Sequence, residues 1–119
     1  MPAYCKAMMR EKKPSRKDLL NAMVNQHISI VEIKEVTMAP GQAAPKHLHP
    51  CPVVGVVLSG SVLFQIEGKE SQLLKEGEAF YEPRNATILH FDNASTEKPL
   101  TFVAFYLKEE NEENIQLLA

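Results

Sequence analysis

From His27 onward the chain is a succession of short β-branched and aromatic runs, cut at steady intervals by Gly and Pro, with no segment that keeps the apolar spacing of a long helix. "HISIVEIKEVTM", "VVGVVLSG", "SVLFQIEGKE", "SQLLKEGEAFYEP", "ATILHFDN" and "LTFVAFYL" give about seven short strands. Such a pattern predicts an all-β sandwich or barrel of antiparallel strands. Val62, Phe64 and Ile66 alternate onto one face, whereas residues 53–58 are apolar in both phases, as in a strand covered on both sides. Val31 and Ile33 occupy one phase of the first strand and Val36 and Met38 the other, which predicts a bulge near Lys34 and Glu35.

Ahead of the strands, Ser15 is placed as an N-cap with Asp18 three residues on, and Leu19, Leu20, Met23 and Val24 follow at helical spacing. The expected organisation is an N-terminal extension with a short helix (1–26), a β-barrel (27–107) and an acidic C-terminal tail (108–119). With 119 residues, 45% of them hydrophobic, the chain can bury one core without staples. Its formal charge of −2 provides no basic field for nucleic acid or a membrane surface, so the expected partner is a small molecule. Both charged termini read as solvated, although the final "NIQLLA" is apolar enough to dock on the barrel or on a partner. Cys5 and Cys51 do not make a disulfide framework, and the start lacks the apolar stretch of a signal peptide; a reducing, cytoplasmic setting is the expectation. No run is long enough for a membrane span.

The chemistry concentrates in "PKHLHPCPVVG" (45–55). Alternate residues of an extended strand face the same way about 6.6 Å apart, so His47 and His49 can converge on one ion. Pro45 and Pro50 restrict the backbone on either side and lower the entropy lost in ordering the pair. A third imidazole, His90, lies among the apolar residues of a predicted strand. Imidazoles suit borderline metals such as Fe, Zn, Cu and Ni, and three of them leave coordination positions open. The plain alternative is a polar lining of a barrel mouth.

The order of these features resembles the cupin superfamily of small β-barrels, over about residues 27 to 107. The first cupin motif is matched by Gly41, His47-x-His49 and Gly60, with Val53 in the place of the glutamate. The second is matched by Gly77 and Pro83, with Asn85 in the place of the glycine and Ile88 in that of the histidine; His90 comes two residues later and Asn93 follows it. The resemblance implies a cupin-type antiparallel β-barrel or jelly roll and a homodimer. It also implies a divalent transition metal (Fe, Ni, Mn or Zn) on His47, His49 and His90, similar to three-histidine dioxygenases.

Glu82 and Tyr81 precede Pro83 at the expected barrel mouth, and one of the two must point inward. Glu82 is a candidate carboxylate ligand or general base, with a solvent-facing glutamate as the alternative. Cys51 is read as a buried inert thiol and His27 as structural or exposed. Two functions stay open: a small metal-dependent oxidoreductase, and a non-catalytic module that binds or senses a small molecule at a degenerate site.

Overall fold

The computed structural model describes residues 13–118. Nine strands are found among them: β1 (Ile30–Met38), β2 (His47–Leu48), β3 (Val53–Ser59), β4 (Ser61–Ile66), β5 (Gln72–Lys75), β6 (Ala79–Glu82), β7 (Ile88–Asn93), β8 (Leu100–Lys108) and β9 (Gln116–Leu117). They form two antiparallel sheets, β1-β8-β3-β6 and β5-β4-β7-β2-β9. The fold is all-β, as the strand pattern implied, and no helix among the described residues is long and apolar enough to cross a membrane.

The core is built from the inward phase of each strand. Val53 and Val57 of β3 and Phe102 and Ala104 of β8 come from the first sheet; Val62 and Phe64 of β4 and Ile88 and Phe91 of β7 come from the second. Phe64, Phe80, Phe91 and Phe102 stack edge to face or tilted, with centroids from 4.8 to 6.2 Å apart. Such pairs each contribute about 0.5–1.5 kcal/mol beyond the area they bury. Gly55 makes the cluster possible, because a Cβ there would stand 2.3 Å from both the Phe80 ring and the Val103 carbonyl oxygen. The glycine marks a close approach of ring to backbone. Gly60, at φ +86°, is the only residue between β3 and β4 and carries the chain from one sheet to the other. That left-handed conformation is cheap for glycine alone.

Two expectations need correction, and one open alternative is decided. Residues 15–26 form no helix. A helix of a dozen residues is marginal in water without a face to bury, and Leu19 and Leu20 instead border a shallow pocket with Val54, Val56 and Phe105 on the outside of the first sheet. The bulge near Lys34 is also absent: β1 pairs β8 in unbroken register from Ile30↔Lys108 to Met38↔Leu100. The two apolar phases of β1 serve two faces, since Val31 and Ile33 are exposed while Val36 and Met38 point into the barrel. Finally, the C-terminal residues are not simply solvated. Gln116 and Leu117 pair with β2 and become the last strand of the second sheet.

Candidate metal centre

His47 is held in β2 between Ile88 of β7 and Leu117 of β9, and His49 follows two residues later. Both imidazoles are buried and their rings meet edge to face, with centroids 4.9 Å apart. The third member is Glu82, the last residue of β6 and only 3% exposed. One donor atom from each of His47, His49 and Glu82 falls within 4.8 Å of the other two. This group could hold a metal ion.

Glu82 reaches the site because it pairs directly with Val53 across the ladder of β3 and β6. Directly opposed residues project from the same face of a sheet. A carboxylate thus stands on the neighbouring strand directly opposite position 53, where the resemblance to cupins leads one to expect a glutamate. Tyr81, one residue earlier, points the other way, and its hydroxyl donates to the Met23 carbonyl oxygen at 3.4 Å, away from the site.

Each imidazole is oriented through its far nitrogen. His47 Nδ1 donates to the Pro45 carbonyl oxygen (2.8 Å) and His49 Nδ1 to that of Asn114 (2.6 Å). A carbonyl can only accept, so both Nδ1 atoms carry protons and the Nε2 atoms are left for the cavity. Metal-binding histidines are commonly fixed in this way. His49 Nε2 is 2.5 Å from Glu82 Oε2. Burial works against charge on this imidazole, but the hydrogen bond and charge of Glu82, with the Asn114 carbonyl, outweigh it and raise the His49 pKa. At this separation a single proton shared between Nε2 and Oε2 joins the two side chains.

The raised pKa has a consequence for stability. A group bound more tightly to its proton when folded adds stability in full below its unfolded value, and that contribution is lost as pH climbs through the folded value. Unfolding of the chelator-treated protein by urea is expected to become easier as pH rises from about 6.5 through the His49 value. The same pH series on Glu82→Gln should show a shallower decline; an identical slope would refute the assignment.

The three donors line a cavity of about 270 Å³ whose other walls include Val36, Met38, Phe91, Phe102 and Ile115. Among the described residues, no lysine or arginine borders it. Tyr106 also lines it, with its ring edge-on to His49 at 5.7 Å. Burial, then the nearby Glu82 charge, raise the Tyr106 pKa, so its hydroxyl is neutral and able to donate. The strand pattern places Tyr106 here, in phase with Phe102 and Ala104, although position alone did not mark it as a site residue.

His90 does not join His47 and His49. Its side chain is 47% exposed on the outer surface, with Nδ1 2.9 Å from Asp92 Oδ2. A register shift explains the departure. Ile66 pairs with Ile88 but Gln65 pairs with His90, so Leu89 is an extra residue in β7. A bulge inverts the alternation beyond it. Ile88, Phe91 and Asn93 consequently point inward while His90 turns out. Cys51 is buried in the core, where burial, followed by the Glu112 charge, raises its thiol pKa; it is not one of the grouped donors. His27 is exposed and lies 3.8 Å from Glu109.

Two packed antiparallel sheets with an inward His-His-Glu group define a small β-barrel protein with a candidate metal centre. A family model described as "Cupin domain" matches residues 34–106, and the chain belongs to that family. An oxalate oxidase solved with the substrate analogue glycolate is 26% identical, with a TM-score of 0.64, over 74% of this chain and 46% of that one. A cupin-like protein from Thermotoga maritima is 22% identical, with a TM-score of 0.64, over 75% of this chain and 65% of that one. A protein from Thermus thermophilus is 27% identical, with a TM-score of 0.57, over 66% of this chain and 74% of that one. This chain thus spans less than half the length of the oxalate oxidase. Comparison with curated proteins found no match.

Proposed function

We propose that the protein is a metal-dependent cupin that acts on a small, mainly apolar organic molecule. The observation that carries this reading is the convergence of His47, His49 and Glu82 at one wall of an apolar cavity. Two imidazoles and a carboxylate with open positions form the donor set of non-haem iron oxygenases, so dioxygenase-like chemistry remains part of the proposal on a different third ligand. When bound, a divalent ion would supply Lewis acidity or activation of dioxygen. This chain's own residues would orient the substrate: the phenylalanines exclude water, and Tyr106 offers a neutral hydroxyl.

The oxalate oxidase likeness brings small oxygen-bearing acids into view. A cavity wall without lysine or arginine among the described residues argues instead for a neutral or singly charged substrate that meets the ion through its own oxygen atoms. One observation favours the non-catalytic reading: Ile88 fills the position of the second-motif histidine and is fully buried. Three ligands, rather than four, would then hold a weaker or degenerate centre.

A cytoplasmic setting fits Cys51, a free and buried thiol. A homodimer fits the exposed Val31 and Ile33 on the edge strand β1. Elemental analysis of the purified protein, with light scattering on the same preparation, tests this reading. Near-stoichiometric metal is expected in the wild type, and its loss in a folded His47→Ala, His49→Ala double variant. Unchanged metal content in that variant would overturn the site, and a monomeric mass would overturn the dimer.

A further inference from the structure

The tail crosses from one sheet to the other next to the candidate centre. It leaves the first sheet at Lys108, turns through Asn111 at φ +68°, and joins β2 of the second sheet at Gln116 and Leu117. The Leu118 N–H then donates to the Lys46 carbonyl oxygen at 3.0 Å. Midway, Ile115 borders the cavity. Asn114, immediately before it, makes three contacts with separate partners.

The Asn114 carbonyl accepts from His49 Nδ1 at 2.6 Å. Its side-chain Nδ2 donates to Glu32 Oε2 at 2.8 Å, and its Oδ1 accepts from Lys108 Nζ at 2.7 Å. Lys108 Nζ closes the ring by donating to Glu32 Oε1 at 3.0 Å. Each polar side-chain atom in this ring of β1, β8 and the tail therefore has a partner. The amide side chain fastens a loop whose main chain fixes the imidazole.

We infer that Asn114 is a positioning residue for His49: it links the Glu32–Lys108 ion pair to the orientation of a metal ligand. The inference rests on the metal reading of the site above. Without this anchor, the tail is held only on either side of Asn114, by the contacts of Glu112 with Gln26 and Arg84 and by the short pairing of β9 with β2, and the Asn114 carbonyl between them is free to shift from Nδ1. His49 then loses its fixed orientation while the core, built elsewhere, persists.

Two variants and two readouts test this. Asn114→Asp places a carboxylate against Glu32, whereas the pair Glu32→Gln, Asn114→Asp exchanges amide and carboxylate and restores every hydrogen bond and the net charge. In chelator-treated protein at one fixed pH, nitrogen-15 NMR should show His49 with a hydrogen-bonded Nδ1–H in the wild type. That signal should be lost in Asn114→Asp and recovered in the double variant. Titration with Ni(II) alone should show an affinity loss of about tenfold or more in Asn114→Asp, recovered to within about threefold by the pair, the range expected for an outer partner of a ligand. Should Asn114→Asp not fold, Asn114→Ala carries the same comparison.

An unchanged Nδ1–H signal in a folded single variant, or failure of the exchange to recover it, overturns the inference. A wild type that shows the Nδ1–H signal but takes up no metal overturns the proposed function instead, because the NMR arm requires no ion.

Discussion

Glu82→Gln is expected to leave the protein folded yet weaken its hold on a divalent metal by at least about a hundredfold, while His90→Ala leaves that affinity unchanged. Mutation of an outer partner that merely orients a ligand costs roughly ten- to a hundredfold. Removal of the one anionic donor should exceed the upper end of that range. The glutamine has the same shape, and its amide can still donate to His49 Nε2, so the buried side chain keeps a partner. His90 is the contrasting case, since its imidazole lies on the outer surface with Asp92. Isothermal titration of both variants with one metal, beside circular dichroism, checks the pair. Equal losses at the two positions, or a larger loss at His90, would show that the centre is not built from His47, His49 and Glu82.

Phe91→Ala should be the most damaging core substitution, with a loss of about 3–5 kcal/mol. The Phe91 ring touches three other rings: Phe64 at 5.9 Å, Phe80 at 5.0 Å and Phe102 at 4.8 Å between centroids. It comes from the second sheet, whereas Phe80 and Phe102 come from the first, so its truncation unlocks the contact between the layers. Typical domains are stable by only about 5–15 kcal/mol. A fall in Tm of more than about 10 °C should follow, read by scanning calorimetry. Phe91→Leu, which keeps most of the apolar volume, should lose less than half as much. A shift of only a few degrees for Phe91→Ala would mean that the four rings do not form the joint between the sheets.

The site divides along one physical line. His-x-His between prolines is a local statement, because residues two apart on one strand share a face whatever the rest of the chain does. Its two imidazoles do meet in the cavity wall. The third donor is not local. Glu82 belongs to the site through its pairing with Val53, a register between residues 29 positions apart on two different strands. Sequence alternation established that either Tyr81 or Glu82 points inward and left open which one.

His90 shows the same limit from the other side. Counting by twos from Ile88 assigns it to the interior, and the count fails because Leu89 is an extra residue against β4. Nothing in "ILHFDN" by itself calls for that bulge, which exists only as a mismatch between two paired strands. Asn114 had no signal at all: an asparagine in an acidic tail acquires a role only when the chain folds back to β2.

What the amino-acid order determined unaided was the all-β class, the positions of most strands and the histidine pair, all of which follow from alternation and turn residues within a few positions. What tertiary structure alone decided was the identity of the carboxylate, the outward turn of His90 and the fastening of His49 by the tail. These depend on which strand lies beside which and in what register, and a period-two pattern is blind to register until a partner strand supplies it.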